Sequence, residues 1–328
     1  MRQRTILITG AAGAVGGNLT SKILSLNKKN GGQNSLHLLI KPSSDTWRIS
    51  NLLSQTTVHS VDLTNYQELL RVFEKANPDL IINCASYKKH PADQSSKSQA
   101  LFNNPQSILN LLEASKIFPP KMFIHIGSCL EYGRINKLST NEQYQEDKQC
   151  QPKIFRGALK NIETTLIKQY CEEFNLPVNI IRTSNVYGPF EQPDRLIPTI
   201  IKNIAKGIPI RLTVNKTYRD FIYVDDLTEG IIQLAGKEEF KGEIFNICSG
   251  QLNSNHQVLE IIKKTLQKEP QILKEPHLGT VADNSIYPIS ILKAKSLLNW
   301  SPKHSLEDGI QKTCLWFLET GLNLPAYS

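Results

Sequence analysis

A short apolar strand that runs directly into a glycine-rich turn is the feature that most limits what this chain can fold into. Thr5 to Thr9 reads Thr-Ile-Leu-Ile-Thr, the turn Gly10 to Gly16 follows at once, and an amphipathic helix is predicted over Val15 to Leu26. Glycine permits the tight turn and lets backbone N–H groups approach a ligand, while a helix N-terminus favours negative charge. The pattern therefore predicts a pyrophosphate-binding loop, formed by Gly10, Ala12, Gly13, Ala14, Val15 and Gly16.

The first half of the chain alternates short apolar runs with helical patterns. The predicted strands are Thr5 to Thr9, Leu36 to Ile40, Val58 to Val61, Leu80 to Cys84, Met122 to Ile126 and Pro177 to Arg182. The predicted helices between them include Tyr66 to Ala76, Ile108 to Lys116 and Ala158 to Phe174. This alternation is typical of an α/β fold with a Rossmann-type, doubly wound parallel sheet, whose two faces are covered by crossover helices.

After Gly188-Pro189 the alternation breaks into segments punctuated by proline and glycine, followed by one more short apolar strand over Phe221 to Val224. Such punctuation favours turns and loops. We therefore assign two regions to the NAD(P)-binding Rossmann domain and two to a smaller C-terminal substrate-binding lobe. The first are residues 1–187 and about 217–250, and the second are about 188–216 and 251–328.

Composition narrows the class of protein. The chain has 328 residues, of which 40% are hydrophobic. No window approaches the roughly 18 uninterrupted apolar residues of a membrane helix. The first apolar run starts too early and is too short for a signal peptide. We therefore expect a soluble, cytoplasmic protein with no membrane partner.

Charge and cysteine content argue against two further kinds of site. The basic residues behind the net charge of +8 are spread along the chain without a nucleic-acid-binding motif, so no nucleic acid partner is expected. The six cysteines are scattered without a Cys-x-x-Cys pair, which suits reduced thiols better than a disulfide framework or a metal site. A small molecule that carries a diphosphate would also suit the positive charge.

The end of the second predicted strand bears on the choice of cofactor. An NAD site usually carries an acidic residue there, whereas this strand ends in Lys41-Pro42-Ser43-Ser44, with Arg48 soon after. Lys41, Ser43 and Arg48 would suit a 2′-phosphate, so NADP(H) is favoured, with NAD as the alternative. A solvated surface loop is the other interpretation of these residues. Asp62, after the third strand, is expected to lie beside the adenine.

Further segments occur in the same order as in a known family. They are the G-x-x-G-x-x-G loop, Pro78 to Ala85, Asn104 with Asn110 to Ala114, Ser128 to Gly133, Arg182 to Pro189, Arg219 to Asp226 and Asn246 to Gly250. With these segments the chain resembles the extended short-chain dehydrogenase/reductase family, in particular its nucleotide-sugar epimerases, dehydratases and 4-ketoreductases. The resemblance covers nearly the whole chain and implies an NAD(P)-dependent enzyme.

The resemblance also implies roles for individual residues. Asn185 and Arg219 match positions that contact the substrate diphosphate, a task that suits a guanidinium fork. A loop cap for Asn185 and a surface ion pair for Arg219 are the alternatives. The implied partners are a nucleotide-diphosphate sugar and a second copy of the chain, in a homodimer that pairs helices such as Ala158 to Phe174. To the cofactor site the resemblance adds Leu63, Cys84, Ala85, Ser86, Asn104 and Lys160.

The catalytic residues depart from the family pattern. In the family, the hydroxyl at the Ser128 position binds the substrate oxygen, and a Tyr-x-x-x-Lys pair on the following helix completes the catalytic set. Here Lys160 takes the lysine position, but Arg156 stands where the tyrosine belongs. Arginine stays protonated at working pH, so Arg156 would stabilise a developing alkoxide or hold a phosphate but would not shuttle a proton.

Proton transfer then needs another donor. Tyr144 with Lys148 fits Tyr-x-x-x-Lys literally, yet the stretch is polar and loop-like, and coincidence is the preferred interpretation. Tyr87, Tyr132, Tyr187 and water are the other candidates. Loss of ordinary redox turnover is the alternative to all of them.

The residues that follow Ser128 narrow the reaction. The family's 4,6-dehydratases carry Thr-Asp-Glu from this position, and the acidic pair eliminates water, whereas this chain has Ser128-Cys129-Leu130. Dehydration is therefore disfavoured. Because NADP(H) suits an enzyme that draws on the NADPH pool, the favoured function is NADPH-dependent reduction of a 4-keto nucleotide-linked sugar. The alternatives are a nucleotide-sugar epimerase with retained NAD(P), a catalytically altered NAD(P)-binding sensor or partner protein, and a reductase of non-nucleotide carbonyl compounds.

Overall fold

A computed structural model of the chain describes residues 3–32, 34–87, 94–133, 143–211, 217–273 and 286–324. The strands, in chain order, are β1 (Thr5–Thr9), β2 (Ser35–Ile40), β3 (Thr57–Ser60), β4 (Leu80–Asn83), β5 (Met122–Ser128), β6 (Val178–Thr183), β7 (Asn185–Tyr187), β8 (Tyr218–Tyr223), β9 (Ile244–Ile247) and β10 (Leu252–Ser254). The helices are α1 (Ala14–Asn30), α2 (Tyr66–Ala76), α3 (Gln94–Ile117), α4 (Phe155–Phe174), α5 (Leu196–Lys206), α6 (Val224–Ala235), α7 (Asn255–Leu266), α8 (Leu292–Leu298) and α9 (Leu306–Glu319). Short 3₁₀ turns cover Leu53–Gln55, Cys129–Tyr132 and Gly321–Asn323.

Seven of the described strands form one parallel sheet in the order β3-β2-β1-β4-β5-β6-β9. Strand β1 lies at the point where the order reverses, with Ile6 opposite Leu36 of β2 on one side and Leu80 of β4 on the other. Parallel neighbours of this kind are joined by crossover helices. The predicted Rossmann-type α/β fold is confirmed.

Apolar side chains cover both faces of this sheet. Along β1, Ile6 and Ile8 belong to one core, which also contains residues of α1 and α6, whereas Leu7 belongs to a second core with α2 and α3. This division arises because successive side chains of a strand point to opposite faces. Burial on both faces explains why the strands of the sheet are nearly continuous apolar runs.

A second, smaller sheet contains three of the described strands. Strand β8 lies in its centre, parallel to β7 and antiparallel to β10. The core beside it contains Tyr187 and Phe221 of the strands, packed with Ile201 of α5, Ile262 of α7 and Phe317 of α9. The division of the chain into two lobes at the predicted residues stays a prediction.

Several elements differ in extent from the prediction, among them α3, β8 and α4. Helix α3 begins at Gln94 instead of Ile108, because its polar first turns and Pro105 lack the apolar period of a helix. Strand β8 begins at Tyr218 instead of Phe221, since polar residues occupy its first half. Helix α4 begins at Phe155, three residues earlier than predicted. Arg156 therefore lies within the first turn of α4.

None of the helices in the described ranges is both long enough and apolar enough to cross a lipid bilayer. All six cysteines are free thiols. Within the same ranges, no group of three or more His, Cys, Asp or Glu side chains is arranged to hold a metal ion.

Candidate functional site

The glycine loop closes tightly against the end of β4. Gly10 follows β1 with a φ of 63°, and a Cβ atom built on it would lie 2.6 Å from the backbone nitrogen of Ala85. A Cβ atom on Gly16 would meet the carbonyl oxygen of Gly10. A side chain at either position would force backbone atoms apart, so glycine is required. The loop thus forms a cradle of backbone atoms at the carboxyl edge of the sheet.

Helix α1 begins at this cradle. Gly13 is the N-cap and donates its N–H to the Gly10 carbonyl oxygen at 2.9 Å, and Ala14 and Val15 open the helix. The first N–H groups of a helix have no partner within it, and the N-terminus carries partial positive charge. The first turn of α1 contains no acidic residue. The loop and the helix together suit the pyrophosphate of a dinucleotide.

Buried polar groups tie the end of β4 to β1. Thr9 and Asn83 share a side-chain hydrogen bond, and the N–H of Ala85 lies 3.3 Å from Thr9 Oγ1 and 3.2 Å from Asn83 Oδ1. Burial raises the pKa of the neighbouring Cys84 thiol to about 12, which keeps it protonated. The predicted cofactor residues Cys84 and Ala85 therefore lie directly opposite the glycine loop, in a fixed backbone conformation.

Three more residues that the resemblance added to the cofactor site lie near the end of β4 or β3. Ser86 is half-buried in the segment that follows β4. Asn104 accepts a 2.6 Å hydrogen bond from the N–H of Tyr87 and so holds that segment against α3. The carbonyl oxygen of Leu63 accepts a 2.8 Å hydrogen bond from the Asn110 side chain.

Lys41 and Asp62 meet at the ends of β2 and β3. Their side chains form a 2.9 Å ion pair, and the Lys41 ammonium lies 5.6 Å from the centre of the Tyr87 ring. Although partial burial raises the pKa of Asp62, hydrogen bonds from Thr64 and Lys41 bring it below its usual value. Ser43 is exposed nearby in sequence. An ionised carboxylate therefore holds the lysine at the carboxyl edge of the sheet.

Arg48 makes contacts that the sequence did not predict. Its side chain is buried, its Nε donates to the Phe190 carbonyl oxygen at 2.9 Å, and its guanidinium lies 4.3 Å from the centre of the Trp47 ring. Arg48 thus joins the loop after β2 to the turn after β7. Because Phe190 lies 142 residues further along the chain, no local pattern could predict this contact.

Ser128 ends β5 and caps the 3₁₀ turn that follows. Its Oγ accepts a hydrogen bond from the Leu130 N–H at 3.3 Å, and the Glu131 carboxylate accepts one from the Ser128 N–H at 2.8 Å. The second oxygen of the buried Glu131 accepts hydrogen bonds from Arg182 at 3.0 Å and Thr164 at 2.8 Å. This buried ion pair holds the turn, so that the half-buried Ser128 lies at the carboxyl edge of the sheet.

Helix α4 packs directly on the turn after Ser128. A Cβ atom on Gly157 would meet the carbonyl oxygen of Leu130, so the first turn of the helix lies in contact with that turn. Arg156 precedes Gly157 and is exposed. The tertiary structure therefore places the guanidinium-bearing residue beside the serine-bearing turn, as the family resemblance implies.

Lys160 lies one turn further along α4 and is only 9% exposed. Its Nζ donates to the Ile126 carbonyl oxygen at 3.0 Å and to Glu163 at 2.8 Å. Residues four apart on a helix share a face, so Arg156 and Lys160 lie in line. Glu163 was not predicted as a site residue. Its spacing of three from Lys160 was the available signal.

Tyr144 lies within the main hydrophobic core. Its backbone N–H donates to Pro288 at 2.6 Å, and its carbonyl oxygen accepts from Ser290 at 2.9 Å. The centre of the Tyr144 ring lies 5.6 Å from the centre of the Tyr132 ring and 4.5 Å from the Lys148 ammonium. A catalytic role for Tyr144 stays a prediction.

The other candidate tyrosines also have partners for their hydroxyl groups. The Tyr132 hydroxyl donates to Asn246 at 2.7 Å, and the Tyr187 hydroxyl lies 3.5 Å from a backbone carbonyl of α9. Burial raises the pKa of both phenols. The Tyr87 hydroxyl donates to Gln99. These contacts engage the three hydroxyl groups within the protein, which argues against a proton shuttle at these tyrosines.

Asn185 and Arg219 lie on the small sheet. Asn185 is opposite Phe221 in the pairing of β7 with β8, and Arg219 lies two residues before Phe221, so both side chains belong to one face. The Asn185 side chain donates to the Asp220 carbonyl oxygen at 3.0 Å. The buried Asp220 carboxylate accepts two backbone N–H groups of the turn after β9. Asp220 thereby pins the strand that carries Arg219.

The residues at the carboxyl edge fit a dinucleotide. A Cβ atom on Gly10 or Gly16 would clash with backbone atoms of the cradle, and the helix N-terminus beside it suits a pyrophosphate. The fold and this site define a Rossmann-type dinucleotide-binding protein. The chain belongs to the NAD dependent epimerase/dehydratase family, whose model matches residues 6–248. The predicted family resemblance is confirmed.

Individual relatives cover nearly the whole chain. A UDP-glucuronate 4-epimerase of Thermodesulfobacterium geofontis is 29% identical over 95% of this chain and 96% of that protein. A dTDP-glucose 4,6-dehydratase of Neisseria meningitidis is 26% identical over 96% of this chain and 94% of that protein. The solved UDP-glucuronic acid 4-epimerase of Bacillus cereus, in complex with UDP-glucuronic acid and NAD, has a TM-score of 0.83 at 24% identity, covering 96% and 99% of the two chains. At 24% identity, the similarity to the Bacillus cereus enzyme shows a shared fold alone.

Replacing Gly10 by alanine will abolish dinucleotide binding, because the new Cβ atom would clash with the Ala85 backbone. Gly31 is a matched control, since its φ of 61° is nearly the same and a Cβ atom there meets nothing within 4 Å. Gly31→Ala should cost about 1 kcal/mol of unfolding free energy through positive-φ strain alone. Gly10→Ala should cost about 2 kcal/mol more through the clash.

Thermal unfolding with and without NAD(H) and NADP(H) measures both effects. We expect Gly31→Ala to be stabilised by a dinucleotide as the wild type is, and Gly10→Ala to show no such stabilisation. Equal ligand-induced stabilisation of the two variants would contradict a cofactor cradle at Gly10.

Proposed function

We propose that this protein reduces a 4-keto sugar attached to a nucleotide diphosphate, using NADPH. The observation that carries the proposal is Arg156 in the first turn of α4, packed on the turn that follows Ser128. Both side chains can donate hydrogen bonds, and the guanidinium does not give up its charge at working pH. The two residues together suit an oxygen atom on which negative charge develops.

The direction of the reaction follows from this fixed charge. Reduction of a carbonyl group builds negative charge on its oxygen, and a preorganised cation stabilises the developing alkoxide. Oxidation of a sugar hydroxyl, which is the first half of an epimerisation, instead needs a general base, and a guanidinium cannot act as one. Arg156 in the tyrosine position therefore favours carbonyl reduction.

The bound dinucleotide would supply the hydride to the sugar carbon. Ser128 and Arg156 would hold the carbonyl oxygen, and Lys160 would bind the ribose of the cofactor by its family position. Because the Tyr87, Tyr132 and Tyr187 hydroxyls have partners elsewhere, water or Tyr144 would protonate the alkoxide to give the sugar alcohol. One carbonyl, one hydride and one proton are consumed for each alcohol formed.

The substrate side supports a nucleotide diphosphate. Asn185 and Arg219 lie on one face of the small sheet, where an amide and a guanidinium suit phosphate oxygens. The relatives named above are called UDP-glucuronate and dTDP-glucose enzymes, so both nucleotides are suitable test substrates.

The adenosine end supports NADPH. The second strand ends in Lys41 where NAD sites usually have a carboxylate, and Asp62 holds that ammonium at the carboxyl edge. Arg48 makes its observed contacts with Phe190 and Trp47, so the preference depends on Lys41 and Ser43. The structure of the Bacillus cereus enzyme contains NAD, and NAD(H) therefore belongs in every assay.

Epimerisation of a nucleotide sugar is the second candidate function. It is favoured by the UDP-glucuronate 4-epimerase of Thermodesulfobacterium geofontis, which is 29% identical over almost the full length of both chains. In that case another group in the site would take the proton from the sugar hydroxyl.

We also propose a homodimer that pairs α3 and α4 with their copies. The two helices pack on each other, and both expose large apolar side chains. Contiguous apolar side chains are rarely exposed on a helix that faces only water. These side chains are Leu101, Phe102 and Ile162, with exposed fractions of 49%, 67% and 38%.

The reductase proposal is tested by mixing the purified protein with NADPH or NADH and a UDP- or dTDP-linked 4-keto sugar. We expect cofactor oxidation that matches the loss of the keto group, measured by absorbance and by NMR of the product. In parallel, UDP-glucose and UDP-glucuronate should keep their C4 configuration. Epimerisation without net cofactor consumption would contradict the reductase proposal and support the second candidate function. Absence of both reactions would contradict an enzymatic role.

Arg156→Met should lower kcat of the reductase by a factor of about 10² to 10³, because removal of one oxyanion-stabilising donor has that effect. Arg156→Lys keeps the charge and should lose less, and KM for the sugar should change little in both. Lys153→Met, which removes an exposed cation just before α4, is the control. An unchanged kcat in Arg156→Met would rule out a catalytic role for this arginine.

Lys41→Ala should raise Kd for NADPH by about tenfold and change Kd for NADH by less than about twofold, because only NADPH carries the phosphate that the ammonium would bind. Lys121→Ala is the matched control, since Lys121 forms a similarly exposed ion pair with Asp79 just before β5, at the opposite edge of the sheet. Isothermal titration calorimetry measures both values. Equal losses for the two cofactors would contradict the 2′-phosphate role.

A further inference from the structure

Helix α4 carries three charged side chains along one face. Arg156, Lys160 and Glu163 follow one another at spacings of four and three residues, which brings them into line on a helix. Lys160 Nζ lies 2.8 Å from Glu163 Oε2, and the two residues are 9% and 1% exposed. Two cations and one anion thus share the helix face that begins beside Ser128.

Glu163 is the last of a series of buried polar side chains that begins beside the glycine loop. Its Oε2 lies 3.1 Å from His125 Nε2, an approach that is not fully aligned as a hydrogen bond. His125 Nδ1 lies 3.0 Å from the side-chain nitrogen of Asn83. Asn83 Oδ1 accepts the hydroxyl of Thr9 and the N–H of Ala85. This series of polar contacts runs from β1 through β4 and β5 to α4.

The hydrogens along this series of polar contacts have one consistent arrangement. Because Asn83 Oδ1 accepts the Ala85 N–H, the Asn83 amide nitrogen faces His125 and donates to Nδ1. The proton of a neutral imidazole then sits on Nε2, which faces Glu163. Burial lowers the pKa of His125, which favours this neutral form. The histidine therefore presents an N–H towards the Glu163 carboxylate.

Glu163 carries the negative charge that the buried Lys160 requires. Although burial raises the pKa of Glu163, the Lys160 charge and the His125 contact bring it below its usual value. The carboxyl group is therefore ionised at neutral pH. A buried ammonium without such a partner loses its proton much more readily than one in water.

We propose that Glu163, whose carboxylate faces His125, is the positioning residue of the cofactor site. It fixes the Lys160 ammonium against the Ile126 carbonyl, which leaves the third ammonium hydrogen for a ribose hydroxyl of the dinucleotide. The carboxylate also offsets one of the two cations on this face of α4, so Arg156 is the net positive group of that face. This inference rests on the part of the proposed function that assigns Lys160 to the cofactor, and it is independent of the direction of the reaction.

The other titratable groups around Lys160 leave Glu163 as the controlling charge. They are Cys84 after β4, His125 on β5, Glu131 in the 3₁₀ turn and Arg156 on α4. The first two are neutral, because burial raises the pKa of the Cys84 thiol to about 12 and lowers that of His125. Glu131 has a cationic partner of its own in Arg182. Arg156 keeps its charge throughout the accessible pH range.

The test is the pH dependence of dinucleotide affinity, measured by fluorescence titration with NADH and NADPH. In Glu163→Gln the amide oxygen still accepts the Lys160 N–H but carries no charge, so Lys160 loses its proton at a lower pH than in the wild type. Binding should therefore weaken earlier as pH rises. Relative to the wild type, we expect affinity within about threefold near pH 6.5 and a loss of about tenfold or more near pH 9.5.

Two further variants separate positioning from packing. Glu163→Asp retains the charge and should recover most of the wild-type pH profile. Glu173→Gln, which removes an exposed charge from the same helix, is the matched control and should leave the profile unchanged. A loss in Glu163→Gln of equal size at every pH would assign Glu163 a packing role and overturn the inference.

A second measurement needs no cofactor. The side-chain nitrogen signal of Lys160 in ¹⁵N-lysine-labelled protein, identified by its absence in Lys160→Met, should titrate at a lower pH in Glu163→Gln than in the wild type. An unchanged titration would overturn this inference alone. Wild-type protein that binds no dinucleotide would instead overturn the proposed function, so the two failures are distinguishable.

Discussion

The close approach of β1 to β4 is the constraint on which the site depends. Gly10 lies so near the Ala85 backbone that no side chain fits between them, and Thr9 and Asn83 join the same two strands through a buried hydrogen bond. Strands β2 and β3 lie on one side of this pair, and β5, β6 and β9 lie on the other. A crevice opens at such a reversal on the carboxyl edge of a parallel sheet, so the ends of five neighbouring strands bring their polar residues to one place.

Two buried ion pairs lie at the end of this crevice that holds Ser128. Glu131 with Arg182 holds the turn after Ser128. Glu163 and Lys160 pair within α4 and contact His125 and Ile126 of β5. Removing two charges from water costs roughly as much as their attraction returns, so such pairs contribute little net stability. We interpret them as orienting contacts, which hold the serine, arginine and lysine of the site in one arrangement.

Local patterns predicted much of the fold. Strand β1 and helix α2 have the predicted bounds, because the apolar period of each is uninterrupted and the buried residues of α2, such as Leu69 and Phe73, follow it closely. Helix α3 was predicted only in its last turns, since its first turns are polar and owe their helical form to the surrounding structure. Arg48 was assigned to a phosphate because nothing local indicates Phe190 as its partner.

Through the family resemblance, the sequence predicts Arg156 in the tyrosine position. By itself, the sequence determined the parallel sheet and the strand, glycine loop and helix that form the cofactor cradle. These features depend on steric limits and spacings within a few residues of each other. Only the tertiary structure decided which charged and polar groups meet across the fold: Glu163 with His125, Glu131 with Arg182, and Lys41 with Asp62. A buried or half-buried charge takes the partner that packing brings to it, and that packing joins strands and helices that are far apart in the chain.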